Sequence, residues 1–429
     1  MDSNKFYKHL FIYITKLDSD ELKMKSNRKI NTVILITLGI LFTFSPIFIN
    51  ISRFMDRDRD IISNNNNDEF DYNKLKISAV SGKIHITNNS GWAAFRAAGN
   101  CTGQGIFSNP YVIQDLEIDG GHSGSCIWIE NSNVYFKIAN CKVYNSGVWP
   151  GVGIRLDSVT NGLLKDNEVL NNSGNGITLW NCTYNEISRN NVRNNNFTEI
   201  GLGDSHNNIV SGNTVINNDH NEYTLLVRDS YNNTIMGNRC DNGFYGISID
   251  DSDNNVVSEN IVNNNNNAGI AILIADNNII SGNIVENNIR WGITVSGSDY
   301  NNFTENIVTQ NGDTINAGIS LGSSFFNNIY LNCFDNVFNA KDDGSYNNWD
   351  NGIKGNYWAD YPGSDADGNG IGDVPYNISG SAGSQDNFPL MTCPISAQDG
   401  GIIPGYNLFI LFGILSILTI YISKRVKKS

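Results

Sequence analysis

Between Ile127 and Leu321 the chain repeats one short pattern, an apolar residue, any residue, then a second apolar residue. It occurs nine times: Ile127 and Ile129, Ile154 and Leu156, Ile177 and Leu179, Ile200 and Leu202, Leu225 and Val227, Ile247 and Ile249, Ile270 and Ile272, Ile293 and Val295, Ile319 and Leu321. The leading residues stand 27, 23, 23, 25, 22, 23, 23 and 26 positions apart. A second column, Val143, Val169, Val192, Val215, Cys240, Val262, Val285, Val308 and Phe334, is spaced 26, 23, 23, 25, 22, 23, 23 and 26. Two independent markers that agree to one residue over nine repeats define a register. The apolar runs alternate with period two, are too short for helices and are separated by Asn, Gly, Asp and Ser, so each repeat predicts several tiny strands. A repeat of 22–27 residues with about three strands per turn points to an all-β right-handed parallel β-helix of nine to ten coils. Leucine-rich repeats share the period but need Leu at fixed positions and a helical side, and neither is present.

Asparagine dominates the composition, with 70 of 429 residues. Two of its columns follow the repeat. One is Asn167, Asn190, Asn213, Asn238, Asn260, Asn283, Asn306 and Asn332; the other is Asn145, Asn171, Asn194, Asn217, Asn242, Asn264, Asn287 and Asn336, with Gln310 in the same column. Asn accepts left-handed backbone at sharp corners, and its amide can bond its counterpart one coil away, so both columns read as scaffold. The open ends of such a rod need covers. Residues 76–126 form the expected N-terminal cap and first coil, with Trp92–Ala98 as a short helical plug; residues 127–336 are the repeats. Residues 337–396 form the C-terminal cap, carrying Trp349, Tyr357, Trp358 and Tyr361.

The ends read differently. The uncharged stretch TVILITLGILFTFSPIFINI, within residues 30–51, is long enough to cross a bilayer, as a membrane helix or signal anchor. A second such helix spans residues 402–422. Residues 1–29 carry a net +3 and residues 423–429 a net +4, so the positive-inside rule places both termini in the cytoplasm and the bulk outside the cell. Taking those two ends from the total of −14 leaves −21 for the outer part, which speaks against a nucleic-acid-binding surface. Residues 52–75, with RDRD and NNNN runs, read as a disordered stalk. All seven cysteines (101, 126, 141, 182, 240, 333 and 393) fall in the outer part. Seven is an odd number and no CxxC spacing occurs; an oxidising compartment allows a disulfide near the N-terminal end, for example Cys101 with Cys126, while Cys240 occupies a core column. N-glycosylation sequons begin at Asn88, Asn100, Asn171, Asn181, Asn196, Asn232, Asn302 and Asn377.

Two stretches carry a family resemblance. GIFSNPYVIQDLEIDG, residues 105–120, resembles the opening coil of the NosD-like, carbohydrate-binding and sugar-hydrolase (CASH) β-helix family. GNYWADYPGSDADGNGIGDVPYNISG with the following DNFPL, in residues 355–390, is similar to that family's C-terminal segment, and with the repeats the resemblance covers residues 76–394. It implies a right-handed β-helix outside the cytoplasm, as in periplasmic copper-related maturation proteins and in archaeal surface proteins. The Pro404-Gly405-Tyr406 start of the last apolar stretch and its basic tail are similar to the latter.

Candidate chemistry is sparse. Asp365, Asp367, Asn369, the Ile371 carbonyl and Asp373 follow the order of a calcium loop with Gly370 at the sixth position, although Tyr376 replaces the bidentate acid expected at the twelfth. Copper binding is unlikely despite the family's name, because His9, His85, His122, His206 and His220 are scattered along the chain. On the sheet after each Ile-x-Ile pair, an outward column carries Glu130, Asp157, Trp180, Arg228 and Asp250, with Arg155, Asp204 and His206 nearby. Asp204, Arg228 and Asp250 are the catalytic candidates for acid–base work on a glycan, and Trp128 and Trp180 the candidates for stacking on sugar rings. The clustered acids of polygalacturonases and the DPHD run of alginate epimerases are absent. The leading expectation is therefore a membrane-anchored, extracytoplasmic surface module that binds carbohydrate or cell-envelope material without catalysis. The alternatives are a lyase, epimerase or hydrolase of acidic glycans, and an accessory factor in metal-enzyme maturation.

Overall fold

The computed structural model describes residues 79–217 and 222–395. The apolar stretches at 30–51 and 402–422, the stalk and the basic ends lie outside those residues. Among the described residues no helix is long and apolar enough to cross a membrane.

The described chain winds into an all-β right-handed parallel β-helix of about 11 turns. Its strands align, one per coil, into three parallel sheets of 12, 11 and 10 strands. The 12-stranded sheet contains Lys142–Tyr144, Glu168–Leu170 and their successors; the 11-stranded sheet contains Ile127–Ser132 and Val152–Val159; the 10-stranded sheet contains Phe136–Ala139 and Gly162–Lys165. Ile127 pairs with Ile154, Ile154 with Ile177, and Val169 with Val192, so both sequence columns become spatial columns in unbroken register. Their side chains are buried, Cys240 among them. A third buried column, Ile113, Ile138, Leu164, Ile187, Val210, Ile235, Val257, Ile280, Phe303 and Ile329, completes the core from the 10-stranded sheet.

Buried asparagines line the corners. Asn260 is typical: its amide nitrogen donates to Ile235 O at 2.9 Å and to Asn283 Oδ1 at 3.0 Å, while its own oxygen accepts from Asn238 N at 2.9 Å and Asn238 Nδ2 at 3.0 Å. This is the first predicted column, and all eight members are buried. The second behaves differently. Asn145, Asn171, Asn194, Asn242, Asn264, Asn287 and Gln310 hold left-handed backbone, with φ between 52° and 65°. The amide ladder at that corner runs one residue later, through Asn172, Asn195, Asn265, Asn288 and Asn311. Asn217 and Asn336 do not adopt the left-handed turn; Asn217 donates to Phe197 O, and Asn336 joins the ladder by accepting from Asn311. A third ladder, Asn185, Asn208, Asn233, Asn255, Asn278, Asn301, Asn327 and Asn347, escaped the sequence reading.

All three ladders end on a carboxylate. Asn356 donates to Asp386, Asn347 to Asp342 at 2.9 Å, and Asn339 to Asp360 at 2.7 Å. An amide both accepts and donates and so passes the ladder on, whereas an ionised carboxylate only accepts and closes it.

At the front, the helix Asn89–Ala97 buries Trp92 against Tyr111 and Phe136, and coil pairing begins at Ala79–Ser81 and Ile84–Ile86, within the segment read as cap and first coil. At the back, Ala340–Ser345 and Tyr357–Trp358 still add strands within the segment expected to be only a cap. The apolar pattern misses this coil because Asp342 stands at an inward position, fully buried, where it takes hydrogen bonds from Trp349 Nε1 at 3.0 Å and Ser384 Oγ at 2.7 Å. Trp358 then stacks on Phe334 and Tyr376 to seal the core.

The disulfide is also elsewhere. Cys333 bonds Cys393, whereas Cys101 and Cys126 are separate buried thiols. Cys126 donates to Tyr144 O at 3.1 Å within the core, and burial pushes its thiol pKa up to about 12.

Asn260→Ala strips a buried rung and leaves the main-chain and side-chain partners unsatisfied, so it is expected to lower the unfolding free energy by about 3 kcal/mol in urea titration. Asn264→Gly, at an exposed left-handed corner, is expected to change it by less than about 1 kcal/mol; similar losses for both would contradict the separation of ladder from corner. Reduction of Cys333–Cys393, 60 residues apart, is expected to cost about 4 kcal/mol, read as a lower thermal midpoint in reductant.

Candidate functional site

Alternation decides what the 11-stranded sheet shows to solvent. Each strand that buries an Ile-x-Ile pair turns the middle residue and the residue after the pair outward. Strand pairing aligns the middle residues as His85, Trp128, Arg155, Thr178 and Gly201. The residues after the pair align as Glu130, Asp157, Trp180, Gly203, Arg228 and Asp250, the column read from the sequence with Gly203 between its halves.

At the front of this face the two columns lock together. The Trp128 ring is sandwiched between the His85 ring, stacked at 4.3 Å, and the Arg155 guanidinium at 4.9 Å. With both faces covered, Trp128 cannot stack on a sugar; its Nε1 instead donates to Asp157 Oδ2 at 2.9 Å. Arg155 Nε donates to the same oxygen at 2.9 Å, and its Nη1 reaches Pro150 O at 3.3 Å. His85 Nε2 pairs with Glu130 at 2.8 Å. Asp157 Oδ1 is buried without a hydrogen-bond partner.

Trp180 is the other predicted stacking residue, and it is 52% exposed. Its ring lies over Gly203, where a Cβ would stand 2.6 Å from two ring carbons. Glycine is therefore required at position 203 for the ring to lie as it does. Trp149, 63% exposed, enters from the insertion that makes the first repeat 27 residues long. Trp149, Val152, Arg155, Asp157, Thr178 and Trp180 together line a cavity of about 170 Å³. The column pattern pointed to Trp180. Trp149 was missed, although the one signal for it, an over-long repeat containing GVWPG, is visible in the sequence.

Of the three catalytic candidates, two pair through their side chains, while Asp204 meets Arg228 through the main chain, its N–H donating to Arg228 O at 3.3 Å. Arg228 and Asp250 are neighbours in the outward column and form an ion pair at 2.6 Å, which holds the Arg228 pKa above its ordinary value. Asp204 sits one residue beyond that column, on a left-handed corner with φ 47°, in line with Asp229 and Asp251 rather than facing the pair. Burial, then the charges of Asp251 and Asp204, raise the Asp229 pKa.

Residues 205–363 match the family described as periplasmic copper-binding protein (NosD), and residues 125–274 match that described as right handed beta helix region. Together with the parallel β-solenoid, the two matches support a NosD-like right-handed β-helix family. The family is extracytoplasmic, consistent with a bulk outside the cell. No curated protein matches the chain in sequence. Among solved structures, a periplasmic alginate epimerase, AlgG, aligns at 16% identity over 61% of this chain and 81% of its own, with a TM-score of 0.39. Pectate lyase Pel9A aligns at 14% identity over 68% of this chain and 82% of its own, TM-score 0.44. The Dettilon tailspike protein aligns at 16% identity over 66% of this chain and 58% of its own, also at 0.44.

The loop of this NosD-like chain read as a calcium site is closed by its own amides. Asp365 accepts from Asn369 N at 3.0 Å and Gly370 N at 2.8 Å, Asp367 from Asn369 Nδ2 at 2.9 Å, and Asp373 from Ala366 N at 2.8 Å. Asn369 Oδ1 accepts from Ile371 N at 2.8 Å. The Gly370 amide is the largest of the bonds that lower the Asp365 pKa. Among the described residues, no three His, Cys, Asp or Glu side chains gather in a group that could hold a metal ion.

Glu199 is the buried acid the sequence reading missed. It interrupts the second ladder, accepting from Asn195 N at 3.1 Å and from Asn195 Nδ2, and is sealed from solvent. Burial pushes its pKa up to about 8 against the opposing pull of those amides. Among the described residues it is wholly buried, and its bonds make it part of the scaffold. The folded state holds the proton more tightly than the unfolded chain. This contribution to stability is therefore full below the ordinary carboxylate range and is lost as pH rises through about 8. Glu199→Gln is expected to flatten the pH dependence of urea unfolding between about pH 5 and 8; an unchanged slope would place the titration elsewhere.

Proposed function

We propose that this chain is an extracytoplasmic surface module that binds carbohydrate of the cell envelope, held to the membrane by the apolar stretches at 30–51 and 402–422. The observation that carries this reading is the cleft of Trp149 and Trp180, two half-exposed indoles flanking a paired Arg155–Asp157 floor. Aromatic walls with a few fixed polar groups at the base are the chemistry that holds a sugar ring, apolar on its faces and hydroxylated at its rim. The strand that carries Trp180 is paired on both sides, so that wall is held in place before a ligand arrives.

The same geometry argues against turnover. A general base must be available to the proton it takes. On this face Glu130 is paired with His85, Asp157 with Arg155 and Trp128, and Asp250 with Arg228. The test is calorimetric titration of the full-length chain, in a detergent without a sugar headgroup, against an envelope-glycan panel with product analysis. Trp180→Ala and Gly203→Ala are each expected to weaken binding up to about tenfold, the scale of one aromatic stack. Arg228→Ala and Asp250→Ala are expected to leave affinity unchanged. New reducing ends or unsaturated products would overturn the reading in favour of an enzyme.

A further inference from the structure

We infer that the ligand of this face is a straight, β-1,4-linked glycan chain lying along the rod axis, one ring per coil, from the Trp149–Trp180 cleft to Trp291. The inference rests on the carbohydrate reading above and specifies the ligand whose first ring that cleft holds. It starts from a third outward column of the 11-stranded sheet, two residues before each Ile-x-Ile pair. Gly246, Gly269 and Gly292 take the inward place next to the pair, where a Cβ would meet Val262, Val285 and Val308, so the residue before each turns outward. Pairing aligns those residues as Tyr245, Ala268 and Trp291, and Val152, in the wall of the cleft, holds the same place in its own coil. Tyr245 and Trp291 are half-buried, as is Tyr223, whose ring lies 5.6 Å from that of Tyr245. Phe244 packs edge-on against Tyr245 at 4.8 Å and fixes its direction.

Along the axis, aromatic and bare coils alternate. Trp180 is followed by the coil of Gly201 and Gly203, then by Tyr223 and Tyr245 on the next two coils, then by the coil of Ala268 and Ala271, and last by Trp291. Coils stack at ~4.8 Å, close to the length one pyranose ring adds to an extended chain, so a glycan laid along the axis stays in register with the coils. In a two-fold β-1,4 chain every second ring turns the same face the same way. That repeat matches aromatic side chains two coils apart, at ~9.6 Å, which is the step from Trp180 to Tyr223 and from Tyr245 to Trp291. A coiling α-linked chain would leave so straight a track within a few rings. Six consecutive strands, from Asn175–Trp180 to Trp291–Ser296, make the track, ~24 Å from first to last. The cavity of about 170 Å³ is smaller than the ~300–1,000 Å³ of sites that enclose larger ligands, so it takes one ring and the rest of the chain lies beyond it.

The experiment titrates the full-length chain, in a detergent without a sugar headgroup, with dimers and hexamers of β-1,4-linked glucose, N-acetylglucosamine, mannose and mannuronate, and with maltohexaose as the α-1,4 control. The expected result is at least one β-1,4 hexamer bound about tenfold or more tighter than its own dimer and than maltohexaose, the scale of one added aromatic stack. Trp291→Ala and Tyr245→Ala should each lower that hexamer's affinity about tenfold with an unchanged thermal midpoint, and Trp291→Phe should restore most of it. A hexamer bound no tighter than its dimer, with loss in Trp180→Ala, would overturn the axial track while the carbohydrate reading stands. Hexamer binding that needs Trp180 but is indifferent to both Tyr245→Ala and Trp291→Ala would do the same. Maltohexaose bound tighter than every β-1,4 hexamer would overturn the straight chain. Binding indifferent to Trp149→Ala and Trp180→Ala would overturn the cleft as its starting point, and binding of none of these glycans would overturn both readings.

Discussion

The structure depends on the asparagine amide at the inside of each coil corner. A parallel β-helix must turn three times per coil, and each turn points main-chain N–H and C=O groups into a dry interior where an unpaired one is costly. An inward Asn side chain meets that need with one donor pair and one acceptor, bonding the main chain of one coil and its counterpart on the next. Asn167 to Asn190 to Asn213 shows the result, with each oxygen taking two bonds from the rung before. The ladder is periodic only if every coil keeps the same corner in the same place, so the amides enforce the register that the apolar columns exploit. Where insertions lengthen a coil, the extra residues leave from loops such as the one carrying Trp149 and not from the corners.

A ladder of amides needs a stop, and carboxylates supply it. Asp386 takes the last donors of the first ladder, Asn356 N at 2.7 Å and Trp358 Nε1 at 2.9 Å, and its burial raises its pKa to about 6. Glu199 stops the second ladder internally by taking the main-chain and side-chain donors of Asn195. These acids look like catalytic candidates by their perturbed pKa values alone. Their buried positions, where they take the donors of the ladders, identify them as parts of the scaffold.

The outward face follows from the same register. Because coils stack without slip, side chains contributed by strands more than 20 residues apart stand side by side: His85 against Trp128, Trp128 against Arg155, Trp180 over Gly203. The polar groups of this face are largely spent on one another. What remains open on this face is the aromatic surface of Trp149 and Trp180, with the Thr178 side chain between them.

The fold was legible because its signal is repetitive. Each Ile-x-Ile pair is weak evidence, but a β-helix repeats it at every coil, and eight spacings that agree between two columns leave one architecture. The outward column from Glu130 to Asp250 came with that register, since alternation assigns every second residue to solvent. The reading failed where periodicity carries no information. Cys333–Cys393 joins a coil to a tail outside the repeat, and the coil built on Asp342 hides its strand because a hydrogen-bonded acid replaces an aliphatic residue. The column that looked like corner and ladder at once divided, since Asn264 turns the chain while Asn265 carries the amide ladder. Sequence by itself determined the coil, its register and which residues face out, because these depend on local alternation and a constant period. The tertiary structure alone decided that Trp128 is covered, that Trp180 is open over Gly203 and beside Trp149, and that Arg228 pairs with Asp250 through side chains but meets Asp204 through the main chain. Those outcomes depend on side-chain direction and on contacts between coils, which no spacing along the chain encodes.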